Sequence, residues 1–126
     1  MPPKILVVED QVDHRTLLVL MLSRLKCEVI EAADGQEGIE KALAELPDLI
    51  IMDLMLPGID GIQATVRLKQ DPRTARIPVV AHTIWKEPEY KERALQAGVS
   101  EYLVKPTPPQ VFHEIVQRFL PAKTQD

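Results

Sequence analysis

Two apolar spacings take turns along this chain. Short continuous apolar runs alternate with longer stretches in which apolar positions recur every three or four residues. The first run, Lys4-Ile5-Leu6-Val7-Val8, is rich in β-branched residues and predicts a buried strand that ends on two acids, Glu9 and Asp10. Leu17, Leu18, Leu20, Met21, Leu22 and Leu25 then give a helix with a wide apolar face. Residues 27–32 are short and partly alternating, which predicts a strand nearer a sheet edge. Asp34-Gly35 could signal a hairpin turn. Ile39, Ala42, Leu43 and Leu46 follow at helical spacing, however, so Asp34 reads as the N-cap of a second helix that Pro47 stops.

The next run, Leu49-Ile50-Ile51-Met52, ends on Asp53 and breaks at Pro57-Gly58, as a strand buried on both faces would. Ile62, Val66 and Leu68 mark a third helix, ending before Asp71-Pro72, with Asp60 as its cap. Residues 77–83 form the fourth apolar run, with Pro78 near its start, where a missing donor is tolerated. Pro88 fits the first turn of a fourth helix running to Ala97, and Gly98 suits the left-handed position just past its end. Residues 101–104 read as a last strand. Residues 110–120 read as a closing amphipathic helix with Val111, Ile115 and Phe119 inward.

Five strand–helix alternations predict an α/β fold: a parallel sheet with right-handed crossovers and helices on both faces. In that architecture every strand ends on the same rim, where ligands of open sheets bind. That rim collects Glu9, Asp10, Asp53, Thr83 and Lys105.

Composition narrows the class. The 126 residues, 45% hydrophobic and 27% charged, suit one compact domain, taken as 1–121 with a polar tail at 122–126. A net charge of −4 and the lack of any Lys/Arg run argue against a nucleic-acid surface. There is no apolar run of membrane-spanning length and no signal-peptide pattern at Met1-Pro2-Pro3-Lys4, so no membrane partner is expected. One cysteine, Cys27, excludes an internal disulfide, fits a reducing cytoplasmic setting and reads as a small buried hydrophobe.

The rim residues have a joint chemistry. Three carboxylates repel one another unless a cation is present, and oxygen-only ligands favour Mg²⁺. A lysine ammonium can pair with Asp53 or with an incoming phosphoryl group, and a threonine hydroxyl can donate to a phosphoryl oxygen. Together they describe a site for an aspartyl-phosphate. The plainer alternative is a salt bridge at a strand end beside a scattered acid pair. No Gly-rich phosphate loop, Walker-type Gly-Lys-Ser/Thr or zinc spacing occurs.

Glu9-Asp10, the stretch Ile51-Met52-Asp53-Leu54-Met55-Leu56-Pro57-Gly58-Ile59-Asp60-Gly61, Thr83, and Tyr102-Leu103-Val104-Lys105-Pro106 resemble the receiver domain of bacterial two-component response regulators. Ala32-Ala33-Asp34-Gly35 and Ala94-Leu95-Gln96-Ala97-Gly98 fit the same family. The resemblance implies a flavodoxin-like fold with strand order 2-1-3-4-5. Asp53 would accept a phosphoryl group from the phosphohistidine of a histidine kinase or phosphotransfer protein. Glu9, Asp10, Asp53 and the carbonyl of Met55 would hold Mg²⁺, while Lys105 and Thr83 would contact the phosphoryl oxygens. Thr83 and Tyr102 would form the switch read by a downstream protein effector, and Lys105-Pro106 would be cis. A weak homodimer through the fourth-to-fifth helix face is a further assembly known in the family, although no residue here demands it.

Three features depart from the family pattern. Ile84 and Trp85 follow the switch threonine where a small residue is usual first; with Met55 they are expected to crowd the mouth of the site and limit access, and the equal alternative for Trp85 is a partly exposed aromatic serving a partner surface. Lys26 stands where glycine is common, at a cost of about 1 kcal/mol if the backbone there is left-handed. Thr107-Pro108-Pro109 stiffens the approach to the last helix. The rival readings are a pseudo-receiver, binding protein without phosphorylation, and an aspartyl-phosphate phosphatase. Phosphatases of that type carry a second Asp where this chain has Met55. His14 is expected on a solvated face, His82 in a strand with a hydrogen-bonded partner, and His113 at the surface.

Overall fold

The computed structural model describes residues 2–121; the tail expected at 122–126 lies outside them. The elements run β1 (Lys4–Val8), α1 (Val12–Ser23), β2 (Glu28–Ala32), α2 (Gly35–Glu45), β3 (Leu49–Met52), α3 (Gly61–Gln70), β4 (Val79–Thr83), α4 (Pro88–Ala97), β5 (Glu101–Val104) and α5 (Pro109–Phe119). The five strands pair in parallel in the order β2-β1-β3-β4-β5. This is the flavodoxin-like arrangement that the alternation and the motifs predicted.

Because strand side chains alternate, each central strand feeds two cores. Leu6, Val8, Ile50, Met52, Val79 and Ala81 pack with Ala42, Ile62, Ala64, Leu68 and Ala94 from α2, α3 and α4. Ile5, Val7, Leu49, Ile51 and Val80 pack with Leu18 and Leu22 of α1 and with Phe112, Ile115 and Val116 of α5. β2, at the edge, is the less buried strand, as its alternation predicted. Cys27 is only half buried there, its Sγ–H donating to the carbonyl of Leu22 at 3.3 Å.

The helix ends follow local chemistry. The Asp34 carboxylate accepts from the Glu37 amide at 2.7 Å and that of Asp60 from the Gln63 amide at 2.8 Å, each as expected of an N-cap. Gly98 takes the left-handed position after α4, with φ 114°. Lys26 is left-handed too, at φ 54°, so the conditional cost noted above applies. Leu46 does not continue the inward face of α2. It caps that helix in the left-handed conformation at φ 47°, its amide donating to the Ala42 carbonyl, and Pro47 bars any further turn.

The apolar faces are narrower than the sequence suggested. In α1 only Leu18 and Leu22 are buried, and Leu17 and Leu20 remain 57% and 60% exposed. A helix lying on one face of a sheet can bury only the stripe that meets it. In α5 the expected row Val111–Ile115–Phe119 is displaced. Phe112, Ile115 and Val116 enter the core, with Phe119 packed at its margin, and Val111 faces water. Val66 of α3 is likewise exposed. Among the described residues, no helix is long and apolar enough to cross a membrane.

Two histidines contradict their expected settings. His113 is half buried, and its Nε2 donates to the Met21 carbonyl at 2.8 Å, tying α5 to α1. His82 is buried, its ring tilted against Phe112 with centroids 5.6 Å apart, and its Nδ1 finds no hydrogen-bond partner among the described residues. Burial pushes the pKa of His82 down to about 4, the positive charge of Lys105 adding to the effect and Glu9 opposing it. A base held below its ordinary 6.5 binds protons more weakly folded than unfolded. Its contribution to stability is present above pH 6.5 and lost as pH falls from there through 4, by on the order of 3 kcal/mol. Replacing the ring with an apolar side chain of similar volume removes both that loss and the unpartnered nitrogen. His82→Leu should therefore leave the urea unfolding free energy at pH 7 within about 1 kcal/mol of wild type and flatten its fall toward pH 4. Parallel pH profiles for the two proteins would show that His82 is not held neutral in the fold.

Candidate functional site

The sheet register brings the sequence-predicted residues to one rim. Val8 lies opposite Met52 and Met52 opposite Ala81, so Glu9 and Asp53 leave their strands at the same level. The Asp53 amide donates to the Val8 carbonyl at 3.0 Å, and the Lys105 amide to the Thr83 carbonyl at 2.8 Å. One carboxylate oxygen from each of Glu9, Asp10 and Asp53 lies within 4.8 Å of the others. Glu9 is 1% exposed and Asp53 6%, so neither carboxylate is balanced by bulk water.

Lys105 supplies the balance. Its ammonium lies 2.5 Å from Glu9 Oε1 and 3.2 Å from Asp53 Oδ2. Backbone amides complete the carboxylates: Gln11 donates to Glu9 Oε2 at 3.0 Å, and Met55 to Asp53 Oδ1 at 3.1 Å. Arg15 fastens the loop carrying the acids, donating to the Glu9 carbonyl at 2.8 Å and pairing with Glu31 at 3.1 Å. Burial pushes the pKa of Asp53 up to about 6; Lys105 pulls against that rise and Glu9 adds to it. Burial also works to raise Glu9, but hydrogen bonds from Lys105 and the Gln11 amide outweigh it and hold that carboxyl below its ordinary range. The pair thus contains one acid held below its ordinary range and one raised to about 6.

The loop after Asp53 is set by glycine. A Cβ on Gly61 would stand 2.2 Å from the Asp53 carbonyl oxygen and 2.7 Å from Leu54 Cα, so α3 begins directly against the backbone of the acid. Gly58 makes the preceding turn at φ 72°. The peptide bond Lys105-Pro106 is cis, as anticipated.

On the other side of Lys105, Thr83 is fully buried. Its Oγ1 accepts from the Trp85 amide at 3.2 Å, and the Trp85 carbonyl accepts from the Tyr102 hydroxyl at 2.7 Å. A cavity of about 180 Å³ opens above Asp53, lined by Asp10, Gln11, His14, Met55, Ile84 and Lys105. Ile84 and Met55, 55% and 42% exposed, form its apolar walls. Trp85 does not line it. Its ring turns toward α4 and stacks on Tyr90, centroids 4.4 Å apart and planes 22° apart, because two flat apolar faces meet there. His14 does line it, with Nδ1 3.3 Å from the Lys105 ammonium. Sequence reasoning set this residue aside. The available signal was its place in the first turn of the helix that follows β1, which stands directly over the strand end.

Comparison with known proteins points the same way. The family described as the response regulator receiver domain matches residues 5–117. The alkaline phosphatase synthesis transcriptional regulatory protein PhoP of Bacillus subtilis (strain 168) is 38% identical over 120 residues, 95% of this chain and 49% of PhoP. The chain therefore spans about half the length of that relative. Protein PilH of Pseudomonas aeruginosa is 35% identical over 103 residues, 82% of this chain and 85% of PilH. A crystal structure of the receiver domain of sensor histidine kinase PA1611 from P. aeruginosa PAO1, with a magnesium ion coordinated in the active site cleft, has a TM-score of 0.87. It is 34% identical and covers 94% of this chain and 98% of that one.

The two loop glycines should behave differently. Gly61→Ala drives a methyl into backbone that cannot yield, and should cost about 2–4 kcal/mol in urea unfolding. Gly58→Ala meets nothing within 4 Å. It should cost only the left-handed backbone penalty, about 1 kcal/mol. Equal losses would mean that Gly61 does not set the position of Asp53.

Proposed function

The chain belongs to the response regulator receiver family of two-component signalling, and we propose that it acts there as a phosphoacceptor switch with Asp53 as the acceptor. Receiver domains are signalling switches. The observation that carries the reading is the Lys105 ammonium bridging Asp53 and Glu9 where three carboxylate oxygens gather within 4.8 Å. A structural salt bridge has no use for the third acid, Asp10, or for an open cavity over the pair.

In this reading an Asp53 carboxylate oxygen attacks the phosphorus of a phosphohistidine on a histidine kinase or phosphotransfer protein. The P–N bond breaks, and the donor imidazole leaves with the electron pair and takes up a proton from solvent. With its pKa near 6, Asp53 is largely ionised at neutral pH, as a nucleophile must be. Glu9, Asp10 and Asp53, with the Met55 carbonyl, would hold a Mg²⁺ ion. Such an ion, when bound, supplies the positive charge that lets three carboxylates and a phosphoryl group share one cleft. Lys105 then turns a hydrogen to a phosphoryl oxygen, and the Thr83 hydroxyl rotates to donate to another.

That rotation takes Thr83 Oγ1 away from the Trp85 amide it now accepts from. Trp85 in turn carries the carbonyl that holds Tyr102 and the ring that lies on Tyr90. The two switch residues are therefore joined through Trp85, and the change reaches α4 and β5, where a downstream protein effector would read it. Ile84 and Met55 limit access to the aspartyl-phosphate; Trp85 serves the switch. In this reading the protein works in the cytoplasm, the setting in which it would meet its phosphodonor.

Beryllium fluoride, which mimics a phosphoryl group on a carboxylate, tests the acceptor directly. Trp85, the one tryptophan, should report a saturable fluorescence change that requires Mg²⁺ and vanishes in Asp53→Asn. No change in fluorescence or in amide NMR shifts around Asp53 would favour the pseudo-receiver instead. Ile84→Ala should shorten the lifetime of the aspartyl-phosphate severalfold, measured by loss of labelled phosphate, whereas an unchanged lifetime would remove Ile84 from the access pathway.

A further inference from the structure

Lys105 has three ammonium hydrogens and no acceptor. Two of them have carboxylate partners, Glu9 Oε1 and Asp53 Oδ2. The remaining close polar atom is His14 Nδ1, at 3.3 Å, with the same nitrogen 3.9 Å from Glu9 Oε1. An ammonium can only donate, so this contact is a hydrogen bond in the tautomer that carries the ring hydrogen on Nε2 and leaves Nδ1 as the acceptor.

We infer that His14 is a positioning residue for Lys105, its Nδ1 holding one ammonium hydrogen so that another is aimed at a phosphoryl group arriving on Asp53. This rests on the phosphoacceptor reading. Phosphorylation converts the Asp53 carboxylate to an acyl phosphate, whose remaining carbonyl oxygen has a weaker claim on Lys105. Were Glu9 the sole remaining anchor, the four-carbon stem could rotate about it. With Glu9 and His14 as two anchors, two hydrogens are fixed and the third points where Asp53 Oδ2 stands now. The ring is exposed, as expected of a solvated face, and it borders both the cavity over Asp53 and the neighbouring apolar groove of about 290 Å³ between α1 and Pro106, with Nδ1 facing the lysine.

The test compares the full chain with His14→Leu, which removes the acceptor, and His14→Asn, whose Oδ1 stands close to the place of Nδ1. Two measurements are needed: a titration with Mg²⁺ and beryllium fluoride followed by amide NMR, and the imidazole ¹⁵N spectrum of the metal-free protein. His14→Leu should bind beryllium fluoride about fivefold more weakly, the effect of one hydrogen bond, and His14→Asn should restore most of that loss. The spectrum should show Nε2 protonated and Nδ1 as an acceptor. Equal binding by wild type and His14→Leu overturns the inference, as does an equal loss in both variants or a proton on Nδ1. Failure of the wild type itself to bind overturns the phosphoacceptor reading, and the inference with it.

Discussion

A single ammonium group answers for two buried carboxylates, and the architecture is what brings it to them. Glu9 and Asp53 leave the core side by side because β1 and β3 are hydrogen-bonded neighbours. Neither acid could stay ionised there alone. Their counter-charge comes from the far end of the chain, since Lys105 follows β5, a strand separated from β3 by β4. The compensation is partial by construction. One cation cannot fully neutralise Glu9, Asp53 and the nearby Asp10, and burial, with Glu9 adding to it, keeps the pKa of Asp53 raised against the pull of Lys105. A site left short of positive charge is one that receives a divalent cation readily, and the Lys105 bridge keeps it intact meanwhile.

Much of this is legible in the sequence, for a definite reason. In a parallel sheet the residue after each strand falls on one rim, so Glu9, Asp10, Asp53, Thr83 and Lys105 could be brought together from strand ends alone. Caps were equally readable, because Asp34, Asp60, Pro88 and Gly98 act on backbone a few residues away. The phase of the helix faces was not. Val111 and Phe112 are both apolar, and which of them enters the core depends on the sheet it meets rather than on spacing within α5.

The histidines resisted sequence reading most. His14 meets Lys105 across 91 residues, with only its place in the first turn after β1 to suggest it, and His113 meets Met21 across 92 with no local pattern to announce the contact. His82 went astray for another reason. A strand residue beside a polar site is expected to find a partner, but its face of β4 points into the core of α1 and α5, where Phe112 offers only a ring. For Trp85 the sequence offers two settings, a wall of the site or a partly exposed aromatic, and the ring takes neither the cavity nor open solvent but the face of Tyr90. One step of the chain beyond Ile84 was enough to turn its ring to α4.

The contacts that join Thr83 to Tyr102 have a property independent of tryptophan. Both run through the main chain of residue 85, one at its amide and one at its carbonyl. Any amino acid with a free amide hydrogen can complete that circuit, and proline alone is barred. Wiring and ornament are thus separable at this position. In the proposed switch the backbone would carry the message, and the side chain would be left to set the language in which α4 presents it to a listening protein.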